Sequence, residues 1–129
     1  MAPTIQQSVR FRSSAQTLYE MYVDSRKHSQ STGSPARISA KWGGKFAAFG
    51  GQLEGKMLFL APGRQIVQLW RASHGKKEDW SILVLNFSKV AGGAQVDQVH
   101  VGVPTYDRRG VRQGWPKYYW RPWKRFLSR

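Results

Sequence analysis

The segment Trp115-Pro116-Lys117-Tyr118-Tyr119-Trp120-Arg121-Pro122-Trp123-Lys124-Arg125-Phe126-Leu127 limits what this chain can fold into more than any other stretch. Wound as a helix, it places Trp115, Tyr118, Tyr119, Trp120, Trp123, Phe126 and Leu127 on an arc of roughly 200°. Lys117, Arg121, Lys124 and Arg125 fill the remainder. A flat protein surface buries one stripe of a helix, not half its circumference. Another layer must therefore curl around this one, and the rest of the chain reads mainly as strands.

Those strands follow from alternation and turn chemistry. Ile5, Gln7, Val9 and Phe11 alternate with polar residues and predict an opening strand. Ser13 or Ser14 caps a helix carrying Leu18, Met21 and Tyr22, which gives way near Asp24 to a polar stretch, Ser25 to Ser34, closed by Pro35. Short runs then succeed one another: Arg37 to Lys41, Lys45 to Phe49, Gln52 to Leu60, Gln65 to Ala72, Trp80 to Val90 and Ala94 to Val103. Gly43-Gly44, Gly50-Gly51, Pro62-Gly63, the loop at His74-Gly75 and Gly92-Gly93 punctuate them, the pattern of an antiparallel meander. Residues 105–114 lead into the aromatic helix. Pro116 suits a first helical turn, whereas Pro122 predicts a bend or a break before it.

Composition narrows the chemistry. A chain of 129 residues with 40% hydrophobic content forms one domain, 1–129, with a core that needs no metal or disulfide. The absence of cysteine removes thiol catalysis and thiolate metal sites. His28, His74 and His100 lie far apart without paired ligand spacing, so no metal and no cofactor is expected. Net charge is +14, and the last 23 residues hold eight basic residues against one acid. Such a balance attracts polyanions, anionic membranes or acidic proteins. On the terminal helix, however, the aromatics stand opposite the basics, which suits burial better than base stacking. No specific nucleic-acid partner is expected. No apolar run is long enough for a membrane span, and no leader is visible at the start, so the expected location is the cytoplasm.

The residues His28, Thr32-Gly33, Gly43-Gly44-Lys45-Phe46, Phe49-Gly50-Gly51, Gly55, Pro62, Ile66-Val67-Gln68 and Trp70-Arg71 continue into Asp79 to Leu83, Phe87, Gly92-Gly93, His100-Val101-Gly102-Val103-Pro104, Gly114-Trp115 and Tyr118-Tyr119-Trp120. In that order, over nearly the whole chain, they resemble the family named for activators of the 90-kDa heat-shock protein ATPase, within the START-like (SRPBCC) superfamily. The resemblance implies an α+β helix-grip fold: a curved antiparallel sheet of about seven strands wrapped around a long C-terminal helix, with one or two short helices after the first strand. It also implies a cavity between sheet and helix that often takes apolar ligands, and it implies no reaction. The chain resembles the stand-alone bacterial versions. One departure is Ser31, where the family carries a large apolar residue before the Thr-Gly pair; the smaller side chain predicts a more open or more mobile region there.

Strand phase puts Ile66, Gln68 and Trp70 on one side, and Val96, Gln98 and His100 on another inward row. A pocket with aromatic walls from Trp70, Trp115 and Tyr119 and polar points at Gln68, Gln98 and His100 is one reading. In the other, the polar groups bond one another or the backbone inside a filled core. Ser81 and His100 lie on neighbouring strands, yet no acid completes a triad and no nucleophile elbow is present. The expected function is non-catalytic binding of a small hydrophobic or amphipathic ligand. The first alternative is a co-chaperone-like module that meets an acidic partner, such as a chaperone, through Lys117, Arg121, Lys124 and Arg125. The second is a cyclase or hydratase using a pocket histidine.

Overall fold

The computed structural model describes residues 4–129. The reading of the chain start as free of a leader rests partly on Met1, Ala2 and Pro3, which lie outside the described residues.

Strands β1 (Ile5–Phe11), β2 (Ala36–Ile38), β3 (Lys45–Ala48), β4 (Leu53–Ala61), β5 (Gln65–Ala72), β6 (Ser81–Val90) and β7 (Gly93–Val101) form one sheet. Its order is β1-β7-β6-β5-β4-β3-β2, every neighbour antiparallel. The meander thus starts at one edge with β2 and returns to meet β1 at the other. Helices α1 (Ala15–Val23) and α2 (Ser25–Thr32) carry the chain across between those edges. The fold is α+β of the helix-grip type. Alternate residues face inward: Ile66, Gln68, Trp70 and Ala72 on β5, Ser81, Leu83, Leu85 and Phe87 on β6, Ala94, Val96, Gln98 and His100 on β7 are all buried. At β4 a bulge between Met57 and Phe59 turns both Leu58 and Phe59 outward before Leu60 points in again.

Gly55 on β4 has a steric reason. A Cβ there would overlap the Leu69 carbonyl and the Phe46 ring, so the two neighbouring strands close over a position that only hydrogen can occupy.

Ser14 caps α1, its Oγ accepting from the Thr17 N–H at 3.0 Å. The polar stretch that follows forms a second helix, within the one or two short helices expected after the first strand. Asp24 caps α2 by accepting from Lys27 N–H at 2.9 Å, and Gly33 ends it at φ 78°. Periodicity gave no sign of this helix because its packing face is polar. Ser25 Oγ accepts from Ile38 N–H at 2.8 Å and Ser29 Oγ from Ala36 N–H at 3.0 Å. The helix therefore satisfies the outer edge of β2, which otherwise offers unpaired backbone groups. Ser31 is buried with its hydroxyl donating to the His28 carbonyl.

The terminal helix starts earlier than expected. α3 (Arg108–Trp115) includes most of the segment read as a lead-in, and it continues through a π-helical turn, Pro116–Trp120, into α4 (Arg121–Leu127). In that turn the Arg121 N–H reaches back five residues to the Pro116 carbonyl. The wide turn gives the Pro122 ring room against the preceding coil, so proline is absorbed by widening and not by a break. Trp115, Tyr119, Trp120 and Trp123 are buried, Tyr118 is 48% exposed, and Phe126 and Leu127 are half-buried. Among the described residues no helix is long and apolar enough to cross a membrane.

Candidate functional site

Two aromatic residues of the helix and one of the sheet set the site. The Trp115 and Tyr119 rings stack at 4.6 Å, and Trp70 of β5 approaches Trp115 at 6.5 Å. Where β4 and β5 diverge from this stack, a cavity of about 280 Å³ remains. Its walls are Leu53, Trp70, Val111, Trp115 and Tyr119, with Phe49, Gln52 and Tyr118 beside them. His74 and Asp107 stand at its rim, paired at 3.1 Å. The volume is just below the range in which drug-sized ligands are normally held.

Of the six residues expected to line a pocket, Trp70, Trp115 and Tyr119 border this cavity, whereas Gln68, Gln98 and His100 lie elsewhere in the sheet's inner layer. Gln68 accepts from the Tyr22 hydroxyl at 2.9 Å, and its amide N–H meets Met57 Sδ at 3.3 Å. Gln98 is 1% exposed, and neither amide atom finds a partner among the described residues. Phe49, Gln52, Leu53 and Val111 were not among the residues expected at a site. The available signal was an aromatic residue set directly before Gly50-Gly51.

The hydrogen bonds of His100 can be assigned a direction. Its Nδ1 faces Trp115 Nε1–H at 3.4 Å, and an indole nitrogen only donates, so Nδ1 must be the unprotonated acceptor. Nε2 then carries the proton and donates to Ser81 Oγ at 2.8 Å, while Ser81 donates onward to the Trp70 carbonyl at 3.1 Å. Burial pushes the His100 pKa down to about 3, so the ring stays neutral. In this arrangement Nε2 has no lone pair to take a proton from Ser81, and the hydroxyl proton is already committed to backbone. The pair braces β5, β6, β7 and the helix together. It is not set up as a nucleophile and base.

His28 makes a second directed link. Its Nδ1–H donates to the Tyr22 carbonyl at 2.8 Å, which leaves Nε2 to accept from the Tyr119 hydroxyl at 3.0 Å. Burial lowers the His28 pKa and raises those of Tyr22 and Tyr119, so all three are neutral groups at ordinary pH. The link fixes the Tyr119 ring, and with it one cavity wall.

One buried polar group without a partner belongs to a residue that borders the cavity. Among the described residues the buried side-chain atoms lacking a hydrogen bond belong to Trp70, Arg71, Gln98 and Trp123, and of these only Trp70 borders the cavity. That indole N–H is fully covered, and the polar residues of the cavity lining are Gln52, His74 and Asp107. No group of three or more His, Asp or Glu among the described residues is placed to hold a metal. Lys117, Arg121, Lys124 and Arg125 are exposed on the outer side of the helix, with Lys117 over the Tyr118 ring at 5.2 Å and Lys124 over Phe11 at 5.9 Å.

Comparison with known proteins agrees with this architecture. The chain is 28% identical over 109 residues to "Activator of 90 kDa heat shock protein ATPase homolog 1" of Homo sapiens, covering 84% of this chain and 32% of that protein. It is 30% identical over 116 residues to the "Activator of 90 kDa heat shock protein ATPase homolog" of Dictyostelium discoideum, covering 88% and 30%. The chain thus spans about a third of the length of the curated relatives it matches. Among solved structures, an HSP90 activator from Plasmodium falciparum superposes with TM-score 0.88 at 20% identity, covering 97% of this chain and 96% of that one. CalU16 from Micromonospora echinospora superposes with TM-score 0.82 at 18% identity, covering 97% and 76%. At these identities the two likenesses bear on the fold alone. A family profile described as "Activator of Hsp90 ATPase homolog 1-like protein" matches residues 12–127, and the chain belongs to that family.

Proposed function

We propose that this domain binds a small, largely apolar molecule between the β4–β5 end of the sheet and the terminal helix, and holds it without covalent chemistry. The observation that supports this most is a cavity of about 280 Å³ bordered by the rings of Trp70, Trp115 and Tyr119. The occupant is therefore apolar over most of its surface and flat enough to lie along Trp115 and Tyr119. The test is titration of labelled protein with fatty acids, sterols and flavonoids, following the Trp70 indole resonance. A shift of that resonance with saturation is expected. A panel that leaves it unmoved would remove the proposal.

A second reading rests on the family and on the exposed basic side chains. In it the domain acts as a co-chaperone-like module, with Lys117, Arg121, Lys124 and Arg125 meeting an acidic surface of a heat-shock chaperone in the cytoplasm. Salt-sensitive co-purification with a 90-kDa chaperone, lost when Lys117, Arg121 and Lys124 are changed to Glu, supports it. Retention in that triple variant counts against it.

A further inference from the structure

A second hollow of about 420 Å³ adjoins the cavity and shares Phe49, Gln52 and Tyr118 with it. Its remaining lining is of a different character. Lys117 and Arg125 contribute two cations from one side of the helix, Thr32 and Ser34 contribute hydroxyl-bearing residues, and no Asp or Glu takes part. Neither cation takes part in the Lys27–Glu20 or the Arg71–Glu54 ion pair. An apolar compartment therefore opens next to a cationic one.

The divider between them is strained. Phe49 sits at φ 54°, a left-handed conformation that an aromatic residue seldom adopts, followed by Gly50 at 66° and Gly51 at 95°. Its ring stands edge-on to Tyr118 at 5.6 Å and to Tyr119 at 5.4 Å, so the turn is held by contacts from both compartments. Strain of this kind persists where surrounding packing enforces it, which is common at ligand clamps.

We infer that the occupant of the cavity is an amphipathic anion: an apolar ring system along Trp70, Trp115 and Tyr119, with a carboxylate, sulfonate or similar group passing Phe49 and Tyr118 to reach Lys117 and Arg125. This rests on the binding role proposed above and adds the charge of the ligand to it. Arg125 offers a paired fork of N–H donors and Lys117 a mobile point charge, the combination that suits an oxyanion at a half-open site.

The test uses two probes with the same apolar body, 8-anilinonaphthalene-1-sulfonate and its uncharged counterpart N-phenyl-1-naphthylamine, titrated into the full chain by fluorescence. The sulfonate is expected to bind about tenfold more tightly. Lys117→Gln with Arg125→Gln should remove that advantage while leaving the uncharged probe unaffected, which also shows that the variant is folded. Lys89→Gln, at the far end of β6, should change neither. Equal affinity of the two probes for the wild type overturns the anionic assignment and leaves the apolar cavity standing. Equal weakening of the sulfonate by Lys89→Gln and by the double variant also overturns it, since general surface charge would then account for the preference. Failure of both probes to bind removes the cavity reading as well.

Discussion

Gln7 Nε2 donates to the Arg112 carbonyl at 2.9 Å, the carbonyl that Pro116, having no N–H four residues on, leaves without its helical partner. The same amide accepts from Trp120 Nε1 at 2.8 Å. One side chain on the edge strand thus repairs the proline defect in α3 and anchors an indole of the π turn. Gln7→Leu keeps the volume and strips both bonds. It is expected to cost about 1–2 kcal/mol, discounted because the site is half-exposed. Urea unfolding at neutral pH measures it, and a loss near zero would mean that water replaces Gln7 without penalty.

Acid should destabilise the domain through its buried histidines. The His100 pKa lies near 3 in the fold against 6.5 when unperturbed, so below pH 6.5 the unfolded chain takes up a proton that the native ring refuses. Stability held above pH 6.5 is then lost as pH falls toward 3, at up to about 1.4 kcal/mol per pH unit for each such group. His28 acts in the same direction. His100→Gln should flatten the profile of the urea midpoint against pH between 6.5 and 4. An unchanged slope would place the acid sensitivity on the carboxylates.

The direction of the Ser81–His100–Trp115 bonds has its own check. Nitrogen chemical shifts of the imidazole should report a neutral ring protonated at Nε2, unchanged from pH 8 to pH 5. Ser81→Ala removes the acceptor of that proton and should cost about 1–3 kcal/mol. An Nδ1-protonated ring would contradict the assignment directly.

Gly55→Ala should be far more damaging than its size suggests. The added methyl meets the Leu69 carbonyl and the Phe46 ring, and backbone on a paired strand cannot step aside cheaply. A loss of about 1–3 kcal/mol is expected in thermal or urea unfolding, accompanied by shifts in the Phe46 and Leu69 amide resonances. Wild-type stability would show that β4 and β5 can part locally.

Trp70→Phe deletes the unpartnered indole N–H and keeps an aromatic wall. Affinity for a flat apolar occupant should fall by less than about threefold whether or not it presents an acceptor, because the covered N–H does not reach the cavity. Because the N–H bonds nothing among the described residues, folding stability should stay within about 1 kcal/mol of wild type. A large stability loss would show that the packing of the indole, and not its N–H, matters to this part of the core.

Strand phase, turn positions and the aromatic side of the terminal helix are short-range properties, and the sequence carried them: alternation alone put Gln68, Trp70, Gln98 and His100 on the buried side. Periodicity did not carry α2, whose packing face is made of serines that bond the edge of β2, nor the π turn, which depends on how Pro122 is accommodated. Nor could it tell Gln68 and His100, used up on Tyr22 and Ser81, from Trp70, whose buried N–H has no partner among the described residues. Those outcomes are decided by partners 46, 19 and 91 residues apart in the Tyr22–Gln68, Ser81–His100 and His28–Tyr119 bonds. Which polar group finds a mate, and where space is left over, depends on how sheet and helix close on each other, and local periodicity contains no term for that distance.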